Sequence, residues 1–200
     1  MNRKFGMVSS LVTLLAVASF ALSMLVNSDA GSYIASMFIA WGYVPMACAF
    51  AARAKEESRA AALTGVAFAA VYGVLIAVVY FAQLTAVRLS PLSEEALSLL
   101  DYSRFGLFFS LDLLGYGFMA LSTFFLGLTL RPEGRADRWL RGLLMVHGVF
   151  AVTCFVFPML GIFKPDMPGG DLVGVLVLEF WCAYFLPVCV LAYRHFRAEG

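Results

Sequence analysis

Residues 60–82 read AAALTGVAFAAVYGVLIAVVYFA, and no Asp, Glu, Lys or Arg stands between Arg59 and Arg88. A hydrocarbon core of about 30 Å is crossed by roughly 20 helical residues rising about 1.5 Å each. In lipid, a backbone meets its own hydrogen-bonding needs only as a helix or in a closed barrel. Barrel strands are shorter and alternate apolar with polar residues; this run does neither. It reads as a transmembrane helix over Ala60–Val87.

Five further stretches share this character: Phe5–Val26, Tyr33–Ala52, Phe105–Leu130, Leu140–Phe163 and Leu172–Tyr193. The whole 200-residue chain is 62% hydrophobic and 14% charged. Soluble domains average roughly 45–50% apolar and about 25% charged. A globule of this length has too much surface to hide that apolar content, so a soluble domain is excluded, and so is a disordered chain. The expected fold is all-α, a six-helix transmembrane bundle forming a single integral membrane domain over residues 1–200.

The charges sort by loop. Arg3, Lys4, Arg53, Lys55, Arg59, Arg131, Arg135, Arg138, Arg141, Arg194 and Arg197 fall on one side of such a bundle, and only Arg88, Arg104 and Lys164 on the other. The bias of basic residues towards the cytoplasm puts both termini inside. Five or seven spans would scramble this alternation. The first span has a basic start, and Ser28-Asp29-Ala30 resembles a signal-peptide cleavage site. Its apolar run of about 20 residues exceeds the roughly 7–15 of a signal peptide, which favours a retained helix. Three spans in each half would suit an inverted repeat, yet the halves show no residue-level similarity.

Most connections are short. The exception, Arg88–Arg104, reads as a connector holding a short interfacial helix on the outer side, with Ser90 as N-cap and Pro91 at the first position. The last outer loop, from Lys164 to Asp171, is rich in Pro and Gly and reads as an irregular turn. Pro45, Pro158 and Pro187 lie within spans, where each removes a backbone donor. Ser9/Thr13, Ser19/Ser23 and Ser23/Asn27 on the first span, and Gly106, Ser110, Gly115 and Gly117 on the fourth, are small residues that permit close helix contact.

Cys48, Cys154, Cys182 and Cys189 all lie in apolar runs without C-x-x-C spacing, and read as small buried hydrophobes. No cofactor or metal site is expected. Two histidines, His147 and His195, cannot supply bis-histidine haem ligation across several helices. With lysine only at 4, 55 and 164, no retinal Schiff base can form. No basic tract suggests nucleic acid.

Asp112 and Glu179 are the two acids well inside the spans. A charged side chain at mid-membrane is costly, so such residues face the bundle interior or a wet cavity. Counted from the outer ends of their helices, both lie about 10 Å deep at the helical rise, and no span offers a Lys or Arg to neutralise them. Tyr116 follows Asp112 by four residues on the same helix face. Tyr80 and Gln83 lie in the outer half of the third helix. The expected ligand or ion site is therefore Asp112, Glu179, Tyr116, Gln83 and Tyr80, with His147 a secondary candidate. The competing expectation is that these groups hydrogen-bond one another and tie the helices together; for His147 it is a satisfied packing group.

The stretches Tyr80–Arg88 (YFAQLTAVR) and Leu111–Ser122 (LDLLGYGFMALS) resemble segments of small uncharacterised bacterial multi-pass inner-membrane proteins. That resemblance implies six helices and an inner-membrane location, and carries no activity. Three functions remain open on the residues. The first is a small-solute or cation transporter or channel with an outward-facing acidic site. The second is a membrane scaffold, sensor or assembly partner. The third is an intramembrane enzyme acting on a lipid, in which carboxyls and tyrosines would move protons. The expected partners are the lipid bilayer and a small solute or cation, with a homodimer open.

Overall fold

The computed structural model describes residues 1–163 and 170–198; the irregular turn expected from Lys164 lies mostly outside them. Among the described residues every regular element is helical: α1 (Asn2–Leu25), α2 (Asp29–Ala51), α3 (Arg59–Ala82), α4 (Glu94–Leu100), α5 (Leu107–Thr129), α6 (Arg135–His147), α7 (Val149–Met159) and α8 (Gly170–Ala198). Six helical segments are long and apolar enough to cross a membrane, with α6 and α7 together making the fifth. A chain with six such helices is a multi-pass membrane protein.

Several ends differ from the sequence reading, each for a local reason. The second helix starts at Asp29 and not near Tyr33. Ser28 caps it, accepting from the Gly31 N–H at 3.3 Å, and Asp29 adds an acid where the helix dipole favours one. The fourth span starts at Leu107 and not at Phe105, because Phe105 takes a left-handed φ of 54° and closes the preceding turn. The short helix on the Arg88–Arg104 connection is present, but Ser90 does not cap it. The Ser90 N–H bonds the Ala86 carbonyl at 3.2 Å, finishing the helix before it. Ser93 is the cap instead, accepting from the Ala96 N–H at 3.3 Å. This places Glu94 and Glu95 in the first turn, and hydrogen bonds from the backbone and then from Ser93 hold the Glu95 carboxyl below its ordinary range.

Two irregularities were not legible as pattern. After α3 the helix widens into a π-turn over Gln83–Val87. The fifth span is interrupted at Gly148, between α6 and α7. A Cβ at Gly148 would lie 2.9 Å from the Phe124 Cβ and 3.0 Å from the Met145 carbonyl. The glycine thus permits a backbone approach to α5 that no side chain fits.

The helices pack in a ring. α1 lies against α2 and α8, α2 against α3, α3 against α5, α5 against α6, and α6 against α8, closing the circuit. Small residues set the tightest seam. A Cβ at Gly42 of α2 would meet the Thr13 backbone nitrogen of α1 at 2.8 Å, and one at Gly31 would meet the Ser23 hydroxyl at 2.7 Å. Ser9, Ser10 and Thr13 are buried there and return their hydroxyls to carbonyls of their own helix. Ser19 and Asn27, expected on the same stripe, face outward. Beyond Gly148 the ring changes: α7 stays on α5, while Leu172, Val173, Leu176, Val177 and Phe180 on the first turns of α8 are exposed. The outer face of the ring is mostly apolar, with Leu15, Phe38, Leu63, Val74, Phe81 and Val152 among its exposed residues, as a lipid solvent requires.

Candidate functional site

Asp112 stands five residues into α5, about 7.5 Å from its start at the helical rise, and is 3% exposed. One oxygen, Oδ2, accepts a long hydrogen bond of 3.4 Å from the Tyr102 hydroxyl. The other, Oδ1, is buried with no hydrogen-bond partner among the described residues. Tyr80 of α3 also turns its hydroxyl to this carboxyl. The hydroxyls of Tyr33, Tyr72, Tyr80, Tyr102 and Tyr116 all lie within electrostatic reach of this carboxyl. Five tyrosines from α2, α3, α5 and the 102–104 turn therefore gather in the neighbourhood of one acid.

The rings form two connected groups. Tyr33, Tyr80 and Tyr102 make a triangle with centroids 5.4, 6.0 and 6.2 Å apart. Tyr72 and Tyr116 meet edge to face at 5.6 Å. Tyr116 continues to Trp181 of α8 at 5.4 Å. Ser36 of α2 is buried beside Tyr80 and Tyr116 and pairs with their hydroxyls, and the Tyr72 hydroxyl pairs with that of Tyr116. The polar atom of the cluster left without a partner is Asp112 Oδ1. Leaving such an atom unsatisfied costs about 1–3 kcal/mol, so it marks a place that something polar completes.

Above the tyrosine triangle, at the α4 end, lies a half-open hollow of about 420 Å³. Asp29, Tyr33, Gln83, Val87, Arg88 and Asp101 line it. Tyr33 belongs to both places. It is in the wall of the hollow and in the triangle over Asp112, and the charges of Asp29, Asp101 and Asp112 all reach it. The hollow, with Asp29, Asp101 and Arg88 in its wall, is thus separated from the buried carboxyl by one aromatic layer.

Gln83 has a different task from the one its depth suggested. Its amide nitrogen donates to the Leu100 carbonyl at 2.7 Å, and its amide oxygen accepts from the Tyr102 N–H at 3.1 Å. Both ends of the side chain are spent on fastening the 100–102 backbone, which holds Tyr102 over Asp112. The π-turn that begins at Gln83 is an irregularity often found at functional positions.

Glu179 sits on α8, which packs on α1 and α6 and whose Trp181 ring meets Tyr116 of the cluster. Its charge is felt at Cys182, one turn along its own helix. Its Oε1, like Asp112 Oδ1, is buried without a hydrogen-bond partner, so these two oxygens are not bonded to each other.

His147 lies in a second polar layer, at the C-terminal end of α6. The Trp181 indole N–H donates to His147 Nε2 at 3.0 Å, so that nitrogen carries no proton. Nδ1 then holds the ring proton and donates to Thr123 Oγ1 at 2.8 Å, whose hydroxyl passes on to the Ala120 carbonyl. Tyr184 stacks on the imidazole at 5.8 Å and donates its hydroxyl to the Leu143 carbonyl at 2.5 Å. Both ring nitrogens are used and the ring is 1% exposed. His147 is a neutral packing group tying α5, α6 and α8 together. Of the expected site, then, Asp112, Tyr80 and Tyr116 come together, Gln83 supports them, Glu179 Oε1 bonds none of them, and His147 stands elsewhere. Tyr33, Tyr72, Tyr102 and Ser36 were missed; Tyr33 and Ser36 are three apart on one face of α2, the one available hint.

Comparison with family models, with curated proteins and with solved structures finds no match to this chain.

Proposed function

We propose that this protein is a small-solute or cation transporter or channel of the cytoplasmic membrane, with both termini inside and a cation site at Asp112 entered from the outer side. The observation that carries this reading is the Asp112 Oδ1 oxygen, buried without a partner beneath a hollow whose wall sets Asp29 and Asp101 against Arg88. A carboxyl whose role was to fasten helices would have its oxygens saturated by neighbours. The orientation rests on eleven basic residues at one end of the bundle against three at the other, which makes the α4 end the outer one. Location in the inner membrane follows the resemblance of Tyr80–Arg88 and Leu111–Ser122 to small bacterial membrane proteins.

The test is flux into proteoliposomes, measured against pH for the intact chain, Asp112→Asn and Glu179→Gln. Loss of pH-dependent flux in Asp112→Asn, with flux retained in Glu179→Gln, is expected. Unchanged flux in both variants overturns the reading.

A further inference from the structure

Resting on the cation site proposed at Asp112, we propose that its occupant is an organic ammonium ion and not a metal ion. The surroundings of the carboxyl are the ground for this. They offer one carboxylate with a free Oδ1, the Tyr102 hydroxyl on its other oxygen, and the packed ring groups Tyr33–Tyr80–Tyr102 and Tyr72–Tyr116 near it. Hard cations such as calcium take about six to eight oxygen ligands, drawn from several carboxylates and carbonyls. Among the described residues no three His, Cys, Asp or Glu side chains gather anywhere. An ammonium centre has the opposite needs. A single carboxylate balances its charge, and its N–H or N-methyl groups lie against aromatic faces, where the ring quadrupole attracts them.

The approach fits the same chemistry. The hollow of about 420 Å³ has room for a small amine, and at its wall Asp29, Asp101 and the Tyr33 ring repeat the carboxylate-and-aromatic pairing, two acids against the single cation Arg88. Between hollow and carboxyl, the Tyr33, Tyr80 and Tyr102 rings are in contact, so the inner place is closed. Tyr33 and Tyr80 are carried by long helices. Tyr102 rides on a three-residue turn fastened by Gln83. Tyr102 is therefore the wall that yields to admit the ammonium, and its ring then closes over the ion.

The experiment is isothermal titration of the purified full chain in detergent with tetramethylammonium chloride, and separately with sodium and potassium chloride. Saturable tetramethylammonium binding is expected, at least tenfold weaker in Asp112→Asn. Tyr102→Phe, which keeps the ring, should bind within about threefold of the native chain. Tyr102→Leu, which removes it, should weaken binding about tenfold, the size of a desolvated cation–π contact. Both Tyr102 variants alter a short turn, so they report on the ring even where Asp112→Asn fails to fold. Asp112-dependent binding of sodium or potassium without tetramethylammonium binding overturns this inference and leaves the cation site standing. Binding of none of the three overturns both. Equal tetramethylammonium binding in Tyr102→Phe and Tyr102→Leu overturns the aromatic cage.

Discussion

Two polar layers cross this bundle, and they are built on opposite principles. In the layer around His147, donors and acceptors are matched: Trp181 to His147, His147 to Thr123, Thr123 to Ala120, and Tyr184 to Leu143. Nearby, the Tyr43 hydroxyl donates to Ser122 at 2.7 Å, and Ser122 donates to the Gly65 carbonyl at 2.7 Å, joining α2, α5 and α3. In the layer around Asp112, the Oδ1 oxygen is buried without a partner and the hydrogen bond from Tyr102 is long. A membrane interior offers no water to repair such gaps. The first layer therefore holds the ring of helices together, while the second is kept incomplete within a frame that the first supplies.

The comparison breaks or sharpens on stability. His147→Ala is the largest expected change. It removes an imidazole packed among Phe150, Trp181, Tyr184 and Phe185 and orphans the Trp181 N–H. Thermal unfolding in detergent should report a loss of about 3–5 kcal/mol, from the cavity and the lost bonds together. Asp112→Asn should stay within about 1 kcal/mol of the native chain in the same assay, since it has little bonding to lose. If the two cost the same, the layers do not differ in kind.

Ser122→Ala is next. It cuts both bonds of the Tyr43–Ser122–Gly65 chain and leaves the Tyr43 hydroxyl buried, for an expected loss of about 1–3 kcal/mol by the same unfolding measurement. Gln83→Leu should cost the whole bundle only about 1 kcal/mol, but the loss is local. Hydrogen exchange at the Tyr102 amide should quicken about fivefold, as that energy in a local opening implies, while amides of α5 are unchanged. Exchange that rises uniformly would mean that the 100–102 segment is not an independent strap. Glu179→Gln is the smallest: a change within about 0.5 kcal/mol, typical of a substitution that severs no bond.

Much of this was legible in the residues. Long uncharged runs such as Ala60–Val87 can be nothing but spanning helices, and a buried acid such as Asp112 announces itself by its cost in lipid. Tyr116, at four residues from Asp112, follows from helical spacing. The limits were equally physical. Depth is one coordinate and the angle around the ring is another. Glu179 shares the first with Asp112, and the sequence carries nothing on the second. Tyr102 lay on a connector, where no periodicity speaks. Gln83 was placed at the right level with the wrong task, since the π-turn that aims it at the 100–102 backbone has no pattern in sequence.

The sequence by itself determined that this chain lives in lipid, how many times it crosses, and which acids are too expensive there to be incidental. Those are properties of each segment against its solvent, and a segment carries them alone. Only the tertiary structure decided which side chains meet: that tyrosines from three helices and a turn gather near Asp112, and that His147 is fully paired. Such meetings depend on the order and rotation of helices in the ring, which small-residue seams such as Thr13 against Gly42 fix jointly, and no single segment encodes them.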